Sequence, residues 1–197
     1  MIILFIPAII FSQKQGKGKN ERSWAIFHPI AAIKVKKIYN QGLLIYNNRL
    51  EYQKYLDTFN SGGKLDAFKH AFFMAAFAQK VGVNKLRKLG CAHEKDNYSQ
   101  YLKLRDKLIE LPDSMSTVMD LKNNEIGLNI GAKNKNISLS DIKVKVIDKI
   151  KTGKCFILKR NSSGIFVDCN NNILEFNKFP SSWGNLKCIV ATDLPPD

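Results

Sequence analysis

From Leu65 to Gly82 the chain reads L-D-A-F-K-H-A-F-F-M-A-A-F-A-Q-K-V-G, apolar on almost every face and set off by the break Asn60-Ser61-Gly62-Gly63. A helix of that composition has no face to offer water and belongs in the middle of a core. A chain of 197 residues is about the size that one core can organise, so the other elements are expected to wrap this one. The same helix carries Asp66 and His70, four residues apart and therefore stacked on one face. Burying either group without a partner costs several kcal/mol, so neighbouring elements must supply one.

The flanking pattern is helical as far as Gly153. Pro29 suits a first helical turn, and Ile30, Ile33, Ile38 and Tyr39 follow as an approximate stripe; the helix is expected to continue or restart through Leu43 to Phe59, with Gly42 as a weak point. After Gly82, Asn84 is a candidate cap for a helix from Lys85 to about His93. A charged amphipathic segment, Tyr98 to Glu110, then stops at Leu111-Pro112-Asp113. Ser114 or Ser116 can cap a helix running through Met119, Ile126 and Leu128 to Gly131, and Ser140 one carrying Ile142, Val146, Ile147 and Ile150 in phase. From Lys154 the pattern changes to the short runs 155–158, 165–167, 173–176 and 188–190, separated by Asn-, Ser-, Gly- and Pro-rich turns. The expected fold is mainly α: a multi-helix bundle over residues 24–152 and a small antiparallel β region in the tail, 153–197.

Two further places set polar groups where the pattern asks for core. One is Ala92-His93-Glu94 at the end of the 85–93 helix; the other is Asp120 with Asn123, Asn124 and Glu125, between Met119 and Ile126. The arrangement of lowest cost aims all three places at one another. Imidazoles and carboxylates on facing helices are ordinary ligands for zinc or a related divalent ion. Asp66, His70 and His93 are the candidate metal ligands, Glu94 and Asp120 the candidate catalytic groups with Glu94 as general base, and Asn123 and Asn124 the candidate binding amides. No G-x-S-x-G, P-loop, G-x-G-x-x-G or H-E-x-x-H motif is present.

Met1 to Phe11 is an apolar run too short to span a bilayer, and it fits the central region of a secretory signal. Residues 1–12 are accordingly expected to be a signal peptide, residues 13–23 a flexible leader, and the protein exported to the periplasm or beyond. In an oxidising compartment Cys169 and Cys188, which flank a turn-rich part of the tail, are the first candidates for a disulfide, and Cys91 reads as a buried thiol. The formal charge of +14 is carried by 26 Lys against 5 Arg, spread through every segment. Nucleic-acid readers favour the arginine fork, so specific nucleic-acid binding is not expected; a cell-envelope component or other anionic surface is the partner class the charge allows.

The runs D-A-F-K-H-A from Asp66 to Ala71, A-H-E from Ala92 to Glu94, and M-D-L-K-N-N-E-I-G from Met119 to Gly127 together resemble a bacterial domain family of unknown function. Its members carry D-A-F-[RK]-H-A, A-H-E and M-D-L-x-N-N-x-x-G in that order. The resemblance covers about residues 60–131 and implies that Asp66, His70, His93, Glu94, Asp120, Asn123, Asn124 and Gly127 are its motif positions. The chain departs from it with Phe73 where many relatives have Trp, and with Lys122 where His is common. The resemblance implies no particular activity.

Two functions suit these residues. The first is a divalent-metal-dependent hydrolase acting outside the cytoplasm, on a phosphodiester, lipid or cell-wall bond. The second is a non-enzymatic exported binding or interaction protein whose polar cluster only locks the helical core.

Overall fold

A computed structural model describes residues 18–48, 51–106, 111–174 and 183–193. The expected signal segment, residues 13–17 of the expected leader, the end of the expected 98–110 helix and parts of the tail lie outside the described residues. Among those described the order is α1 (Lys19–Phe27), α2 (Pro29–Asn47), a 3-10 turn (Gln53–Tyr55), α3 (Lys64–Ala78), α4 (Val83–Leu104), α5 (Ser114–Lys133), α6 (Leu139–Lys151), β1 (Phe156–Leu158) and β2 (Ile189–Ala191). The fold is mainly α, with a two-stranded antiparallel sheet that pairs Phe156 with Ala191 and Leu158 with Ile189.

Helix α3 is the central element. Its phenylalanines and alanines are buried on all sides, from Ala67 and Phe68 to Phe77 and Ala78. Helix α5 lies against it more closely than side chains normally allow. A methyl group on Gly127 would overlap the Ala71 carbonyl, and one on Gly131 the Ala75 carbonyl. The contacts advance together along both chains, so α3 and α5 run parallel. Helix α4 runs the other way: Arg87 pairs with Glu125, Gly90 abuts Asn124, and Glu94 reaches Thr117.

The tail docks on this bundle. The Asn123 side chain accepts from the Phe156 N–H and donates to the Phe156 carbonyl, both at 2.9 Å, and the Leu158 N–H donates to the Gly62 carbonyl at 2.8 Å. The Thr192 hydroxyl donates to the Ile150 carbonyl at 2.6 Å, tying β2 to the end of α6. Cys169 and Cys188 are joined as a disulfide.

Several local expectations need correction. The end of the expected leader is helical from Lys19, because the Asp96 carboxylate accepts the N–H groups of Asn20 and Glu21 at 3.0 Å each and so serves the open amides of the first turn. The two expected helices 85–93 and 98–110 are one, α4, since no Gly or Pro interrupts residues 91–104. Helix α2 ends at Asn47 and does not run on to Phe59. Gly82, not Asn84, caps α4. At α5 the cap is Asp113, whose carboxylate accepts from Met115 and Ser116 while Ser116 accepts from the Asp113 N–H; at α6 it is Ser138, reciprocated by Asp141. Among the described residues, 165–167 and 173–174 contribute only single bridges, Arg160 with Phe166 and Val167 with Ile173, and residues 175–176 of the expected last run lie outside the described residues. The stripe expected on α2 is split: Ile38 and Tyr39 are buried, whereas Ile30 and Ile33 are exposed. Cys91 faces solvent on the outside of α4, and the buried thiol is Cys155, which burial pushes up to about 12.

Two outcomes follow. Gly127→Ala should lower unfolding free energy in urea by about 2 kcal/mol or more, because the clash is with backbone that cannot step aside; a loss within experimental error would contradict the close α3–α5 contact. Alkylation of the native, non-reduced protein should place a single label, on Cys91, with Cys155 modified only after unfolding; a native label on Cys155 would contradict its burial.

Candidate metal centre

The α3–α5 contact carries the upper turns of both helices together, and with them the polar residues that the apolar pattern could not explain. Asp66 and His70 project from α3, and Asp120 and Asn124 from α5. The His70 Nδ1 lies 3.3 Å from the Asn124 Oδ1. With the amide oxygen as acceptor, Nδ1 carries the proton and donates, which leaves the Nε2 lone pair pointing the other way. There it meets Asp120 Oδ1 at 3.3 Å and Asp66 Oδ1 at 3.6 Å. One ligand atom from each of Asp66, His70 and Asp120 lies within 4.8 Å of the others.

Three atoms of metal-ligand type therefore converge, of which Asp66 Oδ1 already has the Lys69 ammonium at 2.5 Å. Burial first, then the Lys69 ammonium, depresses the His70 imidazole to about 3, against the pull of Asp66. The ring is thus neutral at physiological pH. Burial, reinforced by the charges of Asp66 and Glu94, holds the Asp120 carboxyl well above the usual carboxylate range. Burial also works against Asp66, but the Lys69 ammonium, 2.5 Å from its Oδ1, and the Gly62 N–H, 2.8 Å from its Oδ2, help to keep it ionised below its ordinary value. Asp120 Oδ1 is buried without a hydrogen bond. The missing partner is either a proton on Asp120, shared with His70 Nε2, or a cation.

Glu94 stands beside this group on α4. Its Oε2 accepts from the Thr117 hydroxyl at 2.9 Å and from the Asn97 amide at 3.1 Å, while Oε1 is buried without a hydrogen bond. Burial raises its carboxyl above the ordinary glutamate value, although His93, Thr117 and Asn97 oppose this. A buried carboxyl with one free oxygen, next to a set of metal-ligand type, is placed to hold or move a proton.

The structure separates two of the predicted residues from the cluster. His93 is not in the three-atom set. Its ring centroid is 6.3 Å from that of His70, but its Nδ1 is taken at 2.6 Å by Glu21 of α1, and Asp120 stands where His93 was expected as third ligand. Asn123 turns to the other side of α5 and uses both amide atoms on Phe156, so it holds the tail instead of a ligand. Lys122 is also outside the cluster, exposed and with its ammonium 4.6 Å from the Phe156 ring centre. A histidine at 122 would therefore start from the tail side of α5.

Sequence reasoning missed Lys69 and Glu21. Lys69 was visible as the one lysine between Leu65 and Ala78, three residues from Asp66 and hence on its face. Glu21 was hidden by reading residues 13–23 as leader. A surface depression of about 370 Å3 between α2 and α6, lined by Leu44, Asn48, Lys143 and others, shares no residue with the cluster.

The side chains of Asp66, His70 and Asp120 keep 6–10% of their surface open to solvent, and those of Lys69 and His93 beside them 32% and 27%. The cluster thus reaches water past a lysine and a histidine.

No curated protein and no solved structure matches the chain. Residues 22–154 match the model of a family described as a domain of unknown function, DUF6973. That span takes in two thirds of α1, the whole of α2 to α6 and every residue of the cluster, though not Glu21. By this match over about two thirds of its length, the chain belongs to the DUF6973 domain family.

Proposed function

We propose that this domain is a divalent-metal-dependent hydrolase that works outside the cytoplasm, with Asp66, His70 and Asp120 as the metal ligands. The observation that carries the reading is the convergence of a neutral imidazole lone pair and two carboxylate oxygens, one of them buried without a hydrogen bond. Two oxygens and one nitrogen suit zinc or manganese, and leave coordination positions open for water and substrate. Such an ion would supply Lewis acidity and lower the pKa of a water molecule.

The protein residues then divide the remaining work. Asn124 fixes the His70 tautomer by accepting from Nδ1, in the manner of the outer partners of metal-binding histidines. Glu94, raised by burial and free at Oε1, is the general base that takes the proton of the attacking water. Lys69 and His93, on the solvent side, favour a substrate with an anionic centre, for which a phosphate ester is the first choice among phosphodiester, lipid and cell-wall bonds. The Cys169–Cys188 disulfide supports the export expected from the N-terminal run.

One observation favours the second reading, a non-enzymatic exported binding or interaction protein with a structural cluster. The Lys69 ammonium already neutralises Asp66 at 2.5 Å, so a proton on Asp120 alone would balance the charges.

Turnover separates the two. Hydrolysis of an aryl phosphodiester should require added zinc or manganese and disappear with a chelator. Glu94→Gln should lower kcat by about 10²–10⁴-fold with metal content unchanged, while His70→Ala should lose metal and activity together. Metal-dependent turnover that survives in both variants would contradict the assignment, and a well-folded wild type with no metal-stimulated hydrolysis across a panel of anionic esters would favour the structural reading.

A further inference from the structure

Helix α2 buries a face made of Ala31, Ala32, Val35, Ile38, Tyr39 and Gly42. Its opposite face is not polar. Ile30 is 72% exposed and Ile33 64%, and the adjoining end of α1 adds Ile26 and Phe27, the latter 77% exposed. Successive members of this group are one to three residues apart along the chain, across the α1–α2 corner. Leu44, exposed on the same side of α2 but close to four turns beyond Ile30, lies instead in the depression that Glu51 and Asp141 line, and is not part of this group. Single exposed apolar residues need no explanation, but a contiguous group of large ones marks an interaction face.

The charges around this group indicate what it meets. Between Glu21 and Glu51 the sequence has no Asp or Glu, while Arg22, Lys34, Lys36 and Lys37 lie in the same stretch. Arg22, Lys34 and Lys37 are exposed. Lys37, four residues after Ile33, stands in line with the apolar group on the outer face of α2, and Lys34, one residue after it, at the edge of that face. Around Ile26, Phe27, Ile30 and Ile33 the charged residues that α1 and α2 expose are cations, among the neutral Ser23, Asn40 and Gln41. Large apolar side chains with cations beside them are the composition of a helix that lies in a membrane interface, where apolar groups enter the acyl boundary and cations meet phosphate headgroups. A protein partner would not by itself require that acids be absent. Among the described residues no helix is long and apolar enough to cross a membrane, so the contact is one of lying on the surface.

We propose that the α1–α2 corner is a membrane-docking face, with Ile26, Phe27, Ile30 and Ile33 inserted at the surface of an anionic bilayer and Arg22, Lys34 and Lys37 against its phosphates. This assignment does not depend on the hydrolase reading, and it localises to one face the attraction to anionic surfaces that net charge alone left diffuse.

Vesicle flotation of the full chain tests it, with vesicles of phosphatidylcholine alone and of phosphatidylcholine mixed with phosphatidylglycerol. The wild type should float with the anionic vesicles and less so in high salt. Phe27→Ser/Ile30→Ser should weaken that partition about tenfold or more. Lys34→Glu/Lys37→Glu should weaken it to a similar extent on anionic vesicles only. Ile173→Ser, at an exposed apolar position in the tail, is the control and should change nothing. All variants retain the residues at positions 1–17, so any contribution from the N-terminal apolar run is common to them. Equal flotation of wild type and both double variants would overturn the proposal. So would a wild type that ignores both vesicle types, or one that self-associates until Phe27→Ser/Ile30→Ser makes it monomeric, an outcome that assigns the face to a second copy of the chain.

Discussion

The backbone contact between α3 and α5 is the constraint on which the rest of this structure depends. Gly127 and Gly131 let α5 settle on the carbonyls of Ala71 and Ala75 with no side chain between them. Two parallel helices held at that distance bring the residues one to two turns upstream within bonding range, which is how His70 reaches both Asn124 and Asp120. The same closeness leaves Asn123 on the outer side of α5, where its amide is satisfied by β1. The small-residue contact, the polar cluster and the docking of the tail are thus consequences of one packing geometry. Each extra methyl at the contact would act on all three.

Much of this is legible in residue patterns. An apolar helix that carries Asp66 and His70 must sit at the centre and must bring polar partners to it, and Asp120 and Asn124 are those partners. The fold class follows from the change of period at Lys154. What could not be read depends on contacts made between segments far apart in the chain. Asp96 converts the end of the expected leader into a helical turn, and that turn supplies Glu21, which draws His93 away from His70. Asn123 and Asn124 are adjacent in sequence and similar in chemistry, and only the rotation of α5 decides that one meets a histidine and the other a strand. The exposure of Ile30 and Ile33 was hidden for a related reason: alanines at 31 and 32 are small enough for α2 to pack on that side instead.

The charge distribution of the cluster has a direct physical meaning. Asp66 has an ammonium and a backbone amide as donors, so its ionised form is well supported. Asp120 and Glu94 each retain a buried oxygen without a hydrogen bond, at a cost that folded proteins rarely leave uncompensated. His70 does not meet that need, because its one proton is on Nδ1 and goes to Asn124, and burial and Lys69 keep the ring from taking a second. A single positive centre near His70 Nε2 and Asp120 Oδ1, beside an Asp66 that Lys69 already pairs, would satisfy the set.

Whether that centre is a metal ion or a proton is decided by elemental analysis of the protein purified without chelator and without a metal-affinity step, with Asp120→Asn measured alongside. The account predicts stoichiometric zinc or manganese in the wild type and its loss in Asp120→Asn. A metal-free wild type, together with an Asp120→Asn variant at least as heat-stable, would contradict it. That result would mean that the asparagine N–H replaces a proton that Asp120 had shared with His70 all along.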